Sequence, residues 1–266
     1  MLPLPILLLL LSVFQPCVAI WQPTVGTTWQ IILTSPVTPP CITQDYHVYD
    51  IDLFINDKST IDNLHTLNHK VICYLSAGSF ESNRPDSNEF LESDKGNGLS
   101  ELWHDERWLN TRSRNVRRIM EARLDRAAKM GCDGVDPDNV DGYAAENGFG
   151  LTEDDAVEYV NWLAREAHAR GLAIGLKNAM GIVERVIGNM QWSVNEECAK
   201  LRECAGFVAF GRAGKPVFHI EYPKGSDSDQ SPVGEEERRW ACEFGDSGMF
   251  STVMKNMVLD SWVQAC

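Results

Sequence analysis

The sequence predicts an α/β fold, a (β/α)8 TIM-like barrel of parallel strands. Three observations carry that expectation. Short apolar runs alternate with helical patterns about eight times, without an internal sequence repeat. No glycine-rich dinucleotide fingerprint follows an early strand, which places a doubly wound sheet second. Acidic residues recur where the runs end, at the rim where such barrels keep their chemistry. The densest rim is Gly131 to Tyr143, where Asp136, Asp138 and Asp141 fall within six positions after an apolar start. The plain alternative is a surface turn rich in Asp, Gly and Asn.

Residues 1–19 read as a secretory signal peptide. Ile6 to Phe14 is nearly all apolar, too short to span a membrane, and Pro16-Cys17-Val18-Ala19 ends in small residues. No Lys or Arg precedes the apolar run, so an uncleaved anchor is the alternative. Cleavage after Ala19 leaves residues 20–266 as a single barrel domain of a secreted, extracellular protein. No later segment reaches the roughly 18 apolar residues that a membrane helix needs, so no membrane partner is expected.

Secretion permits disulfides. Cys17 leaves with the signal, and Cys198 with Cys204 is the best pair by proximity in sequence. Cys73 and Cys132 fall in buried strands and read as core thiols. With Cys41, Cys242 and Cys266 the count is odd, which leaves one thiol free. The spacings do not resemble a zinc site. The net charge of −14 argues against nucleic acid, which needs a basic face. The same charge would draw in a cationic ligand, or simply serve solubility.

Thr28 to Leu33 is β-branched and aromatic, a first strand, broken by Ser35 to Pro40. Val48 to Phe54 is a second strand. Ser59 can cap a helix carrying Ile61, Leu64 and Leu67. Val71 to Leu75 is a strand followed by a loop through Glu81. Glu106 to Asn110 is a weaker strand. Val116, Ile119, Met120, Leu124, Ala127 and Ala128 share one helical face, with Arg117 and Arg118 turned to water. After the acidic stretch, Thr152 caps a helix with Glu153, Asp154 and Asp155 in its first turn, and Gly171 stops it. His168 fits the negative end of that helix better than it fits catalysis.

Leu172 to Leu176 is a strand ending in Lys177-Asn178, and Trp192 to Val194 is a strand closed by Asn195-Glu196-Glu197. The segment to Phe210 reads as helical. Pro216 to Ile220 is a strand ending in Glu221-Tyr222, Ser226 to Glu237 an acidic mobile loop, and Phe250 to Met254 a last strand.

Strand ends thus carry Asp50, Asp52, Glu81, Asp136, Asp138, Lys177, Glu196, Glu221 and Lys255, which a barrel gathers on one face. Many carboxylates with few histidines suit glycoside hydrolysis, which needs one acid to protonate the leaving oxygen and one to attack carbon or activate water. Crowding raises the pKa of one acid and equips it as donor. Trp29, Tyr74, Tyr143 and Tyr222 could stack on sugars; core packing is the alternative, more so for Trp29 than for Tyr143. No Gly-x-Ser-x-Gly elbow occurs, and His219 beside Glu221 has no evident nucleophile. Asp136, Asp138 and Asn139 offer oxygen ligands, but the calcium-loop pattern is not met, so no metal or cofactor is expected.

Several blocks together resemble one family. They are Val48-Tyr49-Asp50-Ile51-Asp52, Cys73 to Glu81 with Arg84-Pro85-Asp86, Gly134 to Tyr143, Ala167 to Leu172 with Leu176-Lys177-Asn178, Asn195-Glu196-Glu197-Cys198, and Glu221-Tyr222. The chain is similar to the endo-α-1,4-polygalactosaminidases, glycoside hydrolase family 114, from Trp29-Gln30 to Lys255-Asn256. The resemblance implies a (β/α)8 barrel acting on α-1,4-linked galactosamine polymer, a polycation where deacetylated. It implies Asp138 and Glu196 as the catalytic acids, nucleophile and acid/base of a retaining mechanism. Asp136 is a departure, since Glu is the residue expected there. Asp50, Asp52, Asp141 and Tyr143 are offered as amine- or hydroxyl-binding groups by position. The alternatives are a non-catalytic binder of cationic glycans and a glycosidase for another α-linked sugar. A monomer is expected, with the polysaccharide as partner.

Overall fold

The computed structural model describes residues 19–100 and 103–266. The expected signal therefore lies, apart from Ala19, outside the described residues. Strands β1 (Trp29–Ile32), β2 (Val48–Asp52) and β3 (Lys70–Ser76) begin a barrel. A side sheet interrupts it, with β4 (Ser79–Glu81), β5 (Lys95–Gly98) and β6 (Glu106–Leu109) in the order β4-β6-β5. The barrel resumes with β7 (Gly134–Asp138), β8 (Ala173–Lys177), β9 (Trp192–Glu196), β10 (Val217–Glu221) and β11 (Phe250–Lys255). These eight barrel strands pair in parallel in chain order, and β12 (Val263–Ala265) adds antiparallel to β11. The seam between β1 and β11 is drawn together by side chain and loop instead of a ladder. Trp29 Nε1 donates to the Ser251 carbonyl at 2.7 Å, and Leu33 N to that of Leu259 at 2.9 Å.

Helices cover the outside: α1 (Lys58–Thr66), α2 (Arg114–Met130), α3 (Glu153–Ala169), α4 (Val183–Val186), α5 (Cys198–Leu201), α6 (Val208–Arg212) and α7 (Glu235–Cys242). The core has two shells, as the period of two along each strand requires. Outward residues such as Tyr49, Cys73, Leu75, Val135 and Ile174 pack on the helices. Inward residues Trp29, Ile31, Ile72, Trp192, Val194, Phe218 and Ile220 fill the barrel. Trp192 needs room there. A Cβ on Gly134 would stand 2.5 Å from its ring, and one on Gly175 2.1 Å, so glycine on two neighbouring strands makes its slot.

Several sequence readings change. Asp57 caps α1, accepting from Thr60 N at 2.8 Å, while Ser59 only donates to that carboxylate. Glu106 to Leu109 belongs to the side sheet, and Ser79 to Glu81, read as loop, pairs with it. The helix expected to Phe210 breaks into α5, a 3-10 turn and α6. The acidic loop ends at Gly234, where α7 begins with three glutamates in its first turn. Arg117 does not face open water, because it pairs with Glu158 and lies 5.2 Å from the Trp162 ring. Thr152 does cap α3, in a capping box with Asp155.

Cys198 and Cys204 are joined, and Cys242 is joined to Cys266. Cys73 and Cys132, read as thiols, also form a disulfide. The physical reason is strand pairing: Cys73 lies opposite Val135 on β7, and Cys132 sits just before that strand. Cys41 is the free cysteine among the described residues. The Cys73–Cys132 bond closes a separation of 59 residues, against six for Cys198–Cys204. Replacing both Cys73 and Cys132 by Ala is expected to lower stability by about 2–4 kcal/mol, more than the same change at Cys198 and Cys204. Urea unfolding of the two variants checks this.

Candidate active site

Asp138, Lys177 and Glu196 are the last residues of three adjacent strands, β7, β8 and β9. All three point inward, so Lys177 stands between the acids. Its Nζ lies 3.3 Å from Asp138 Oδ2 and 3.3 Å from Glu196 Oε2. Each is followed by a residue in left-handed conformation: Asn139 at φ 60°, Asn178 at φ 47° and Glu197 at φ 61°. Asparagine tolerates that region, and the turn leads the chain off the barrel rim. The turns also supply donors. Asn139 N donates to Asp138 Oδ1 at 2.7 Å. Asn178 Nδ2 donates to Glu196 Oε2 at 3.2 Å, and its Oδ1 accepts from Glu196 N at 2.9 Å.

Each acid also receives a tyrosine hydroxyl. Tyr74 donates to Asp138 Oδ2 at 2.9 Å, and Tyr222 donates to Glu196 Oε1. Burial raises both phenol pKa values well above the ordinary range, so both remain donors. Gly78 completes the support. Its N–H and that of Ala77 bond the Asp138 carbonyl at 3.0 and 2.8 Å, and a Cβ there would meet the Asn139 carbonyl at 1.7 Å.

Burial pulls Lys177 toward neutrality, but Asp138, Glu196, Asp136 and Asp50 outweigh it and keep the ammonium. Burial pushes Glu196 up, yet the Lys177 charge and the Tyr222 and Asn178 donors bring it below the usual range. The group sits at the floor of a cleft of about 1120 Å³. Among the described residues, nine carboxylates line that cleft: Asp52, Glu81, Asp105, Glu106, Asp138, Asp141, Glu196, Glu197 and Glu203. Two cations oppose them, Lys177 and Arg84, and Arg84 is bound to Glu81 and Asp52.

A paired-acid cleft at the strand ends of a barrel is glycosidase geometry. The family model for glycoside-hydrolase family GH114 matches residues 15–266. The chain belongs to GH114.

Aspergillus fumigatus Ega3, solved in complex with galactosamine, is 54% identical to this GH114 chain. The match covers 92% of this chain and 97% of Ega3, with a TM-score of 0.90. The glycoside hydrolase domain of PelA from Pseudomonas aeruginosa matches at 14% identity over 90% and 98% of the two chains, TM-score 0.70. The β-N-acetylhexosaminidase from Bacteroides fragilis matches at 7% identity over 86% and 60%, TM-score 0.52. The last two share the fold alone. Among curated proteins, none matches.

Of the residues singled out in the sequence, Asp52, Tyr74, Glu81, Asp138, Asp141, Tyr143, Lys177, Glu196 and Tyr222 line the GH114 cleft. Trp29 does not. It is 1% exposed in the barrel interior, stacked on Phe218 at 4.9 Å. Asp50 and Asp136 also leave the lining, because they point inward one layer below the rim and are wholly buried. Glu221 faces the opposite way, out of the barrel. There it meets His219 Nε2 at 2.8 Å and accepts from Ala199 N at 2.7 Å in the first turn of α5. Lys255 is buried against the Asp260 carbonyl, and His168 meets Gln191. Among the described residues, the one cluster with metal-ligand spacing is Cys198, Cys204 and His219, and its sulfurs are held in the disulfide.

Sequence reasoning missed Glu106, whose placement depends on the side sheet folding over the barrel mouth. Its Oε2 accepts from Ser79 Oγ at 2.7 Å, and Ser79 accepts from Asn139 Nδ2 at 3.0 Å. Burial, together with the charges of Glu81 and Asp138, pushes the Glu106 pKa up to about 7. The folded protein therefore holds this proton more tightly than the unfolded chain, and stability falls as pH rises from the ordinary glutamate range through about 7. Glu106→Gln should remove that loss. The variant is expected to melt above the parent at about pH 8 and level with it at about pH 4, as read by calorimetry across that range.

Proposed function

We propose that this GH114 enzyme is a secreted, endo-acting hydrolase of α-1,4-galactosaminidic bonds in galactosamine-rich polysaccharide, working with retention. The observation that carries the reading is the Asp138–Lys177–Glu196 group at the floor of an acid-lined cleft. The 54% identity to Ega3, crystallised with galactosamine, supports the substrate class. A polycationic chain suits nine carboxylates against two cations. The open cleft suits internal cleavage. Ile55, Trp103, Met180, Leu201 and Val258 line it and are exposed, offering apolar contact to sugar faces. The apolar run at residues 6–14 and the disulfides support secretion of residues 20–266, read here as a monomer.

In this reading Asp138 attacks the anomeric carbon while Glu196 protonates the leaving oxygen. The glycosyl ester on Asp138 is then released by a water that Glu196 deprotonates. Two oxygens each 3.3 Å from one ammonium lie at most twice that distance apart. That ceiling of about 6.6 Å admits the retaining spacing of about 5–5.5 Å and leaves out most of the inverting range of about 6.5–9.5 Å. Lys177 serves both halves. It favours the carboxylate that Glu196 becomes on giving up its proton, and it stabilises Asp138 as the leaving carboxylate in the second half.

Incubation with partly deacetylated galactosaminogalactan should release new reducing ends, appearing first as the α-anomer by proton NMR. Asp138→Asn and Glu196→Gln should each lower kcat by about 10²–10⁴-fold. Binding without new reducing ends would instead support a non-catalytic glycan binder, and cleavage confined to other α-linked sugars would reassign the substrate.

The pH dependence follows from Lys177. As general acid, Glu196 must carry a proton, and its lowered pKa sets the alkaline limb of kcat/KM on the acid side of neutrality. Lys177→Met removes the charge that lowers it, so that limb should move to higher pH as kcat falls. A pH profile of the two proteins on the same polymer reads the shift.

A further inference from the structure

Asp50 on β2 and Asp136 on β7 are buried without any exposed surface, and among the described residues no backbone or side-chain donor reaches any of their four oxygens. Both point into the barrel from the two strands that flank β3, so each is the neighbour with which the other can share a hydrogen bond. Two carboxylates have only acceptors to offer, so a bond between them requires a proton on one. The surroundings require the same. Lys177 faces the pair from β8, Asp138 from β7 and Glu196 from β9. From β1 and β3 the barrel presents Ile31, Ile72 and Tyr74, the last opposite Asp136 and kept a neutral phenol by burial. With both acids ionised, four carboxylates would converge on one buried ammonium. A buried carboxyl pair without donors is a poor way to pack a barrel, since apolar side chains would fill the same space without the desolvation cost.

We propose that Asp50 and Asp136 share a single proton beneath Lys177 and act together as its counter-charge, positioning the ammonium between Asp138 and Glu196. The significance for catalysis rests on the galactosaminidase reading; the shared proton does not. Burial raises the pKa of both acids, and the Lys177 ammonium, which favours the charged form of each, leaves the pair with one proton and one negative charge. The pair is a positioning device, since neither residue lines the cleft. It sets how much of the Lys177 field falls on the two acids above.

The proton is read directly by infrared spectroscopy of the intact protein, without substrate, at about pH 8, with 13C-labelled aspartate to separate Asp from Glu bands. The wild type should show the carbonyl stretch of a protonated Asp. Asp50→Asn and Asp136→Asn should each abolish it, because either variant leaves one acid, now ionised and accepting from the amide. Both single variants keep one negative charge below Lys177, so the alkaline limb of kcat/KM should stay within about 0.5 pH unit of wild type. The double variant loses that charge, leaves the Lys177 field on Glu196 uncompensated, and should move the limb to lower pH. A merely structural pair would change melting temperature without moving the limb. Absence of the band in wild type, its survival in both single variants, or an unmoved limb in the double variant overturns the proposal. If the double variant does not fold, the three infrared spectra decide it. If the wild type cleaves no galactosaminide, the function falls while the band test stands.

Discussion

The placement of the Lys177 ammonium at the top of a dry barrel conditions everything around it. Removing an ion from water costs several kcal/mol even after relaxation, and a lone buried lysine would give up its proton instead. Here the cost is offset by acids brought in from β2, β7 and β9, with Asp138 and Glu196 at 3.3 Å. The barrel filling makes the arrangement strong. Trp192 in its glycine slot, Trp29 and Phe218 exclude water from below. A low local dielectric strengthens each pair and also makes any unpaired charge costly. Fold and site are therefore one construction, because the packing that closes the barrel also gives the lysine its hold on both acids.

The rim is where backbone conformation gives way to geometry. Asn139, Asn178 and Glu197 each take left-handed dihedrals directly after an inward side chain. Such a conformation costs roughly 1–2 kcal/mol for a residue with a Cβ, less for asparagine. What it secures is direction. The chain leaves the rim at once, and the freed amide and side chains return as donors to Asp138 and Glu196. The bond from Glu196 N to Asn178 Oδ1 ties the end of β9 to that of β8, so Glu196 and the Lys177 ammonium cannot drift apart without breaking it. Strain held at a site by its own hydrogen bonds is a common mark of a preorganised centre.

Most of the barrel was legible because parallel strands announce themselves by apolar runs and by the polar residues that close each run. Val71 to Leu75 and Trp192 to Val194 needed no tertiary information. The parity of a strand was legible too, yet its use was incomplete. Asp136 and Asp138 share a face, but depth decides that one lines the cleft and the other lies under it. Glu221 was misplaced by one residue of alternation: Tyr222 continues the inward series from Ile220, and Glu221 belongs with His219 outside. The side sheet was not legible, since β4 to β6 are three or four residues long and gain their order from pairing with one another. Glu106 was therefore invisible as a site residue. Cys73 and Cys132 could have been paired from the expectation that their strands are neighbours, because covalent geometry needs only Cα atoms about 5.5–6 Å apart.

The cleft sets two electrostatic demands against each other. Proton donation by Glu196 improves as pH falls, whereas attraction of a cationic chain needs ionised carboxylates. Glu106 and Asp141 are where the demands meet, with burial pushing their pKa values up to about 7 and about 6. At mildly acidic pH the empty cleft therefore holds both partly protonated and carries less charge than its composition states. A bound ammonium reverses this, because an opposite charge at contact distance favours the ionised carboxylate and pulls its pKa down. On the proposed substrate, each amine that docks beside Glu106 or Asp141 releases a proton into a site that needs one at Glu196. An N-acetylated sugar would carry no charge to trigger that release. Discrimination between amine and acetamide is then a property of when the cleft becomes charged, and not only of which groups line it.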